Sequence, residues 1–197
     1  MRAAAGELRQ LARLRVLPAR VAWFQARARR AARAAGDEWS LISATRPDDL
    51  GRLLALARGR REVVELGTGT AWTAIALAVA DPARRVTTFD PIVRPERRRY
   101  LELAGPRARA RIELRDEPGD RGPGDLGGVD LLFVDSSHER EPTVREVEAW
   151  RPALAPGALV VFDDYDHPDY PGVRQAIDQL GLAGERSGTL FVYRAAG

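Results

Sequence analysis

The sequence predicts an α/β protein with a doubly wound, mostly parallel sheet of seven strands. Three observations lead to this prediction. Five short apolar runs alternate with helix-compatible segments, which is the pattern of parallel strands joined by crossover helices. Two glycines, Gly67 and Gly69, follow the first run and precede a helix, as at many helix N-termini that meet a ligand. Two final runs flank Gly188 and predict an antiparallel hairpin that closes the sheet.

The elements are expected in a regular order from residue 46 onwards. Pro47 opens a helix that runs to about residue 58, because proline and acidic residues are favoured in a first helical turn. The strands are expected at 62–66, 85–89, 111–114, 129–134 and 158–162, followed by the hairpin at 183–187 and 190–194. The intervening helices are expected at 70–80, 94–104, 140–151 and 171–180. Residues 116–128, rich in glycine, proline and aspartate, are expected to form a loop.

The first 45 residues predict a helical arm that precedes a main domain formed by residues 46–197. Residues 1–35 contain nine arginines and one acidic residue. Leucines recur every three residues in a first helical segment, at Leu8, Leu11, Leu14 and Leu17. Pro18 separates this segment from a second helix at 20–34 that carries Trp23 and Phe24. Two arrangements of the arm stay open, a lid over the ligand site and a contact within a homodimer or higher homo-oligomer.

Composition excludes several kinds of site. The chain has no cysteine, so it has no disulfide, thiolate zinc site or cysteine nucleophile, and its two histidines leave little for a histidine-based metal site. All 31 basic residues are arginine, yet the formal net charge is only +3, which gives little support for nucleic-acid binding. No apolar run approaches the roughly 18 residues of a membrane span, and the N-terminus lacks the apolar stretch of a secretory signal. A cytoplasmic protein without a membrane partner is therefore expected.

Acidic side chains stand where most of the predicted strands end. They are Glu65, Asp90, Asp116, Asp135, Asp163 and Asp164. In open parallel sheets the carboxyl ends of the strands form the ligand site, so we expect these acids to lie near one bound molecule.

The stretch Glu65-Leu-Gly-Thr-Gly-Thr70 resembles motif I of class I S-adenosylmethionine-dependent methyltransferases, whose Rossmann-like fold agrees with the predicted sheet. Trp72 occupies the place of the third glycine in the dinucleotide fingerprint, which disfavours an NAD-dependent enzyme. The resemblance implies that S-adenosylmethionine meets Glu65, Gly67, Thr68 and Gly69. It also implies that Asp90 binds the ribose hydroxyls, that Asp116 meets the adenine amine and that Asp135 meets the methionine end.

Two later stretches resemble the metal-dependent macrolide-sugar O-methyltransferase-like subfamily, the methyltransferase family 24 type. They are Val129-Asp-Leu-Leu-Phe-Val-Asp-Ser-Ser-His-Glu-Arg-Glu141 and Gly157-Ala-Leu-Val-Val-Phe-Asp-Asp-Tyr165. The resemblance implies methyl transfer to a hydroxyl of a small molecule or natural-product glycoside, in bacterial secondary metabolism. It implies a divalent cation such as Mg²⁺ on Asp135, Asp163 and Asp164, with Asp135 and His138 as catalytic residues and His138 as the base. Ser136, Ser137 and Arg140 depart from the subfamily's usual residues.

Two other functions stay open. A nucleic-acid methyltransferase could use the arginine-rich arm to hold phosphates. Against it, the residues from Asp135 to His138 read Asp-Ser-Ser-His rather than the Asn-Pro-Pro-Tyr type of enzymes that act on nucleobase amines. A non-catalytic cofactor-binding protein is the second alternative, but such a protein could lose the acids after the fourth and fifth strands, and those acids are present.

Overall fold

A computed structural model gives the structure of the chain, and it describes residues 14–196. The strands are β1 (Glu62–Leu66), β2 (Arg85–Phe89), β3 (Ile112–Arg115), β4 (Val129–Val134), β5 (Leu154–Phe162), β6 (Gly184–Ser187) and β7 (Leu190–Arg194). They form one seven-stranded sheet in the order β3-β2-β1-β4-β5-β7-β6. The first five strands pair in parallel, whereas β7 pairs antiparallel with both β5 and β6. The predicted α/β fold with a closing hairpin is confirmed.

Helices connect the strands in the predicted alternation. They are α1 (Ala19–Ala34), α2 (Glu38–Ser43), α3 (Pro47–Leu56), α4 (Trp72–Ala80), α5 (Arg97–Ala104), α6 (Pro106–Arg109), α7 (Arg140–Trp150) and α8 (Pro171–Gln179). The sequence did not predict α2 or α6. It also placed the start of β5 four residues late, because Pro156 and Gly157 read as a turn while the structure accommodates them in the first part of that strand. In α2 the signal was present, since the side chain of Asp37 accepts a hydrogen bond from the backbone N–H of Ser40 at 3.0 Å.

Each face of the sheet is covered by its own apolar core, as expected for parallel strands buried on both sides. Successive residues of a strand point to opposite faces, so Val63 of β1 joins one core and Val64 joins the other. The first core includes residues of α1, α3 and α4, and the second includes residues of α7 and α8. This packing fixes the carboxyl ends of β1, β2, β4 and β5 along one edge, where a ligand site is expected.

The described part of the N-terminal segment packs on the sheet domain. Val21, Phe24, Ala28 and Ala32 recur at helical spacing on α1 and share a buried core with Ile75 of α4. Leu14 and Leu17 are also buried, and a 3₁₀ turn at Leu14–Val16 lies just before Pro18. The predicted first leucines, Leu8 and Leu11, lie outside the described residues. The division of the chain at residue 45 stays a prediction.

Among residues 14–196, no helix has both the length and the apolar character needed to cross a membrane.

Candidate active site

A cavity of about 820 Å³ opens at the carboxyl ends of β1, β2, β4 and β5. Its volume lies within the range of roughly 300–1,000 Å³ that is usual for small-molecule sites. Most of the predicted site residues line it, namely Gly67, Thr68, Gly69, Asp90, Asp135, His138, Asp163 and Asp164. Glu65 and Asp116 are not among the lining residues. Residues of α2 and of the segment after it, including Trp39 and Arg46, form another part of the wall.

The glycine turn after β1 is tightly packed by the chain itself. Gly67 has a φ of +100°, and a Cβ atom there would lie only 1.9 Å from the carbonyl oxygen of Asp135. Gly69 has a φ of +51°, and its Cβ would lie 3.0 Å from the indole of Trp39. Both positions therefore need glycine for backbone conformation and for close contacts. The turn brings the ends of β1 and β4 together with α2.

Asp90, at the end of β2, is held in place by three donors. Its Oδ2 accepts hydrogen bonds from the backbone N–H of Gly69 at 2.9 Å and from the Arg97 guanidinium at 2.8 Å. Its Oδ1 accepts from the backbone N–H of Ile92 at 2.8 Å. Arg97 is buried and also donates to the carbonyl of Gly69 at 2.7 Å. Asp90 and the glycine turn therefore form one preorganised unit that depends on Arg97.

Sequence reasoning missed Arg97, and little in the sequence could have identified it. The chain uses arginine for all 31 basic residues, and Arg97 stands in a run with Arg98 and Arg99. Only the structure distinguishes the buried member of this run, because Arg98 and Arg99 are exposed.

Asp116 was predicted to meet the adenine amine, but the structure does not bring it to the cavity wall. Its side chain is 56% exposed and pairs with the Arg97 guanidinium at 3.2 Å. Asp120, four residues further along the same loop, lines the cavity and pairs with Arg145 at 3.1 Å.

Glu65 lies behind the glycine turn rather than in the cavity. Its carboxyl group is buried and accepts a hydrogen bond from the hydroxyl of Thr88 at 2.5 Å. Burial raises the pKa of Glu65 to about 8, and the negative charges of Asp135 and Asp90 contribute to the same shift. Glu65 is therefore placed to support the glycine turn from behind, and its carboxyl group is mostly protonated at neutral pH.

The ends of β4 and β5 gather acidic side chains around one histidine. His138 Nε2 lies 3.3 Å from Asp135 Oδ1 and 3.7 Å from Asp164 Oδ2. Asp163 is buried; burial, and then the charges of Asp135 and Asp164, raise its pKa well above the ordinary value. The pKa of Asp135 is also raised by burial, although His138 partly offsets the effect. Burial alone would lower the pKa of His138, but Asp135 and the other acids outweigh it, so the pKa of His138 is raised.

The imidazole of His138 rests on an aromatic ring that the sequence did not single out. Tyr170 stacks on His138 with a centroid distance of 4.6 Å and an interplanar angle of 26°. Tyr170 also stacks on His167 at 4.7 Å. The start of α8 comes this close because Gly172 has no side chain: a Cβ there would lie 2.6 Å from the carbonyl oxygen of His138. The aromatic-rich run from Tyr165 to Tyr170 was the only sequence signal.

The three predicted metal ligands lie close enough for their charges to interact, but their side chains are not arranged to coordinate one metal ion. Among residues 14–196, no group of three or more histidine, aspartate or glutamate side chains is arranged to hold one metal ion. The charges of Asp135 and Asp164 nevertheless raise the pKa of Asp163, and that of Asp164 raises the pKa of Asp135, so these charges interact. Hard carboxylate oxygens of this kind are the donors that Mg²⁺ prefers.

Comparisons with known proteins identify the family of the chain. Residues 64–165, about half of the chain, match the family model described as "Methyltransferase domain". Among curated proteins, 54 residues are 32% identical to uncharacterized protein R132 of Acanthamoeba polyphaga mimivirus. This match covers 27% of the present chain and only about a quarter, 24%, of that relative.

Solved structures share the fold over most of the chain. A methyltransferase from Geobacter sulfurreducens aligns with a TM-score of 0.68 and 21% identity, covering 88% of this chain and 89% of that one. CalS11, a TDP-rhamnose 3'-O-methyltransferase of calicheamicin biosynthesis, aligns with a TM-score of 0.61 and 22% identity, covering 76% and 79%. The O-methyltransferase TomG from Streptomyces achromogenes, solved in complex with SAM, gives 0.57 and 23%, covering 78% and 82%. At these identities the likeness shows the fold.

Proposed function

The chain belongs to the methyltransferase domain family, which makes it a methyltransferase of the S-adenosylmethionine-dependent class, and on that premise we propose an O-methyltransferase. The acceptor is a hydroxyl of a small molecule or natural-product glycoside. The resemblance noted for residues 65–70 is thereby confirmed at the level of the family. The names of CalS11 and TomG support the choice of oxygen as the acceptor atom, since both are O-methyltransferases with this fold.

One observation carries the proposal: a single cavity joins two chemically different walls. The glycine turn and Asp90 form one wall, which we call the cofactor half, and Asp135, His138, Asp163 and Asp164 form the other, which we call the acceptor half. A volume of about 820 Å³ leaves room for a nucleoside cofactor beside a small acceptor. The methyl group can therefore pass from one wall to the other within one enclosed space.

The cofactor half presents the backbone of the glycine turn and the preorganised carboxylate of Asp90 to the cofactor. Asp90 accepts three hydrogen bonds, and a carboxylate has about four acceptor sites, so one ribose hydroxyl can still bind to it. The positive φ values of Gly67 and Gly69 shape the tight turn whose backbone the methionine part of S-adenosylmethionine would meet. Glu65 and Thr68 support this wall through Thr88, whose hydroxyl is hydrogen-bonded to both side chains.

The acceptor half supplies a base. His138 Nε2 takes the proton of the acceptor hydroxyl while that oxygen attacks the methyl carbon. The new C–O bond forms as the C–S bond breaks, and S-adenosylhomocysteine leaves with the electron pair on sulfur. Asp135, 3.3 Å from His138 Nε2, stabilises the imidazolium that results. Because the displacement is in line, the remaining task of the residues is to position the two reactants.

The proposal includes a magnesium ion held by Asp135, Asp163 and Asp164. When bound, Mg²⁺ would hold the acceptor oxygen and make its proton more acidic. Support comes from the donor type and from the raised pKa of Asp163, which reflects burial and the neighbouring charges that a cation would compensate. The three side chains must rotate to form a ligand set, and the steps assigned to His138 and Asp135 do not depend on the ion.

Bacterial secondary metabolism, a cytoplasmic location and a homodimeric or higher homo-oligomeric state belong to the same proposal. The cavity reaches the N-terminal segment through Trp39 and Thr45, so that segment contributes to the cavity wall. Nucleic acid is the less favoured acceptor, because a cavity of about 820 Å³ suits a small molecule better than a polymer.

The proposal is tested by calorimetry and by product release. S-adenosylhomocysteine should bind, while NADH should not. A panel of phenols, catechols and nucleotide sugars, incubated with S-adenosylmethionine, should include a compound that releases S-adenosylhomocysteine in stoichiometric amounts with its O-methyl ether. Excess EDTA should lower this release and MgCl₂ should restore it. Tight NADH binding without a response to S-adenosylhomocysteine would refute the function, and full turnover in EDTA would remove only the ion.

A further inference from the structure

Two exposed tryptophans each have an arginine guanidinium over the indole ring, and only one of these two tryptophans lines the cavity. The Arg94 guanidinium lies 3.4 Å from the ring centroid of Trp39 on α2. The Arg27 guanidinium lies 4.3 Å from the ring centroid of Trp23 on α1. Trp39 and Arg94 both line the cavity, whereas Trp23 and Arg27 do not. The Trp23–Arg27 pair, which lies outside the cavity, therefore serves as a control for the Trp39–Arg94 pair.

Trp39 rests on the glycine turn. Its ring atoms Cη2 and Cζ3 would lie 3.0 and 3.5 Å from a Cβ atom on Gly69, so the indole is in direct contact with that backbone. Trp39 is still 41% exposed, so part of the apolar surface of the indole is not covered by the chain. Because this surface lies beside the glycine turn and lines the cavity, a ligand bound there can cover it.

Arg94 differs from the other arginines of the cavity wall. Arg46 pairs with Asp164, and Arg145 pairs with Asp120. Within the part of the chain that the structure describes, Arg94 has no carboxylate partner, and its interaction is with the Trp39 ring. A guanidinium stacked on an indole fixes the ring and keeps its N–H groups free for an acceptor oxygen.

The position of Trp39 is fixed by the residues around it. Asp37 caps α2 by accepting hydrogen bonds from the backbone N–H of Ser40 at 3.0 Å and from the Ser40 hydroxyl at 2.7 Å. The hydroxyl of Tyr100, a buried residue of α5, donates to the same carboxylate at 2.5 Å. Trp39 is thus presented to the cavity by a helix anchored on the sheet domain.

We propose that Trp39 and Arg94 form the outer wall of the cofactor subsite, so that bound S-adenosylmethionine completes the burial of the indole against the glycine turn. This inference rests on the proposed function and deepens it. The indole supplies a large, rigid apolar surface to the nucleoside. Arg94 holds the indole and offers N–H donors to the oxygen atoms of the cofactor. The N-terminal segment thereby contributes a ligand contact that the glycine motif and Asp90 lack.

The test is calorimetric titration with S-adenosylhomocysteine, using the second pair as matched control. Trp39→Ala should weaken binding about tenfold, Trp39→Phe should restore part of the loss, and Arg94→Gln should weaken it several-fold. Trp23→Ala and Arg27→Gln should stay within about twofold of the unmodified protein. Thermal unfolding of each variant checks that the fold is kept, and Trp39→Phe keeps the test valid if Trp39→Ala is unstable.

Tryptophan fluorescence gives a second readout. S-adenosylhomocysteine should change the emission of the Trp23→Ala variant as it changes that of the unmodified protein, and the change should be smaller in Trp39→Phe, in which Trp72 still lines the cavity. Unchanged affinity in the Trp39 variants, or a fluorescence response that Trp39→Phe leaves undiminished, would overturn the inference while leaving the function intact. If the unmodified protein does not bind S-adenosylhomocysteine, the proposed function fails first and the inference fails with it.

Discussion

The two halves of the cavity hold their charges in different ways. In the cofactor half, Asp90 accepts three hydrogen bonds and pairs with the buried Arg97. In the acceptor half, Asp135 and Asp164 lie near the His138 imidazole, and the Arg46 guanidinium pairs with Asp164. Burial raises the pKa of Asp135 and Asp163, and neighbouring carboxylates add to the shift.

The difference indicates which half is prepared for binding and which for chemistry. A carboxylate with satisfied partners is rigid and recognises a ligand at little further cost. A cluster of carboxylates with too few cations favours anything that brings positive charge, whether a proton, a metal ion or an imidazolium. The latter is the environment in which a histidine can accept a proton from a substrate.

The largest effect is expected where the halves touch, at Gly67. In Gly67→Ala the new Cβ would lie 1.9 Å from the carbonyl oxygen of Asp135, at a φ of +100° that disfavours alanine. We expect a loss of more than about 4 kcal/mol in the free energy of unfolding, measured by urea denaturation. Gly59→Ala is the matched control, since Gly59 has a φ of +73° but no atom within 4 Å of its Cβ position. The control should cost only about 1–2 kcal/mol, and equal losses in the two variants would contradict the close contact.

His138→Ala should separate turnover from cofactor binding. Loss of the base should lower turnover of the acceptor found by the panel about 10²–10⁴-fold, while the affinity for S-adenosylhomocysteine stays unchanged. Asp90→Ala is the counterpart in the other half and should weaken that affinity by about 1–3 kcal/mol. Because the pKa of His138 is raised, the rate should rise with pH through an acid limb above roughly 6.5, and the variant should lose this limb. Near-normal turnover with the limb intact would make His138 a bystander.

Glu65→Gln tests the buried carboxyl group behind the cofactor half. The pKa of Glu65 is about 8 in the folded protein, against an ordinary value of 4.5. The folded state therefore binds more protons than the unfolded state between these values, and stability falls as pH rises from 4.5 towards 8. At about 1.4 kcal/mol per unit, this amounts to an upper bound of about 4–5 kcal/mol. Urea titrations at pH 5 and pH 8.5 should show a smaller pH dependence in the variant, and parallel curves would disprove the raised pKa.

The strands could be predicted from the sequence because their signals are local. β1, β2 and β4 have the bounds that their apolar runs indicated, with glycines or acids marking where each strand ends. The glycine turn and the acids at the strand ends were found in the same way. The family resemblance supplied roles for them that periodicity alone could not.

The missed features depend on contacts between distant parts of the chain. Arg97 matters because it is buried beside Asp90, and an arginine-only composition hides that. Asp116 lies away from the cavity because its loop has no periodic pattern to fix which acid points inward. Trp39 and α2 were missed because no element was predicted between the helix at 20–34 and Pro47, although Asp37 begins a new helix. Such positions are decided by packing, which no single segment encodes.

The smallest effect is expected at Tyr170, whose ring lies against both His138 and His167. His138 has a left-handed backbone conformation with a φ of +58°, so contacts made by its ring have to help hold it toward Asp135. An aromatic contact of this kind is worth about 0.5–1.5 kcal/mol, which corresponds to roughly 2–12-fold in rate. Tyr170→Leu should therefore lower turnover by that factor and leave the affinity for S-adenosylhomocysteine unchanged.

Tyr170→Phe keeps the stacked ring and should stay within about twofold of the unmodified protein. In a His138→Ala background, Tyr170→Leu should have no further effect, because the ring acts through the imidazole. If Tyr170→Phe is as slow as Tyr170→Leu, the hydroxyl itself contacts the acceptor, and the acceptor half extends to α8.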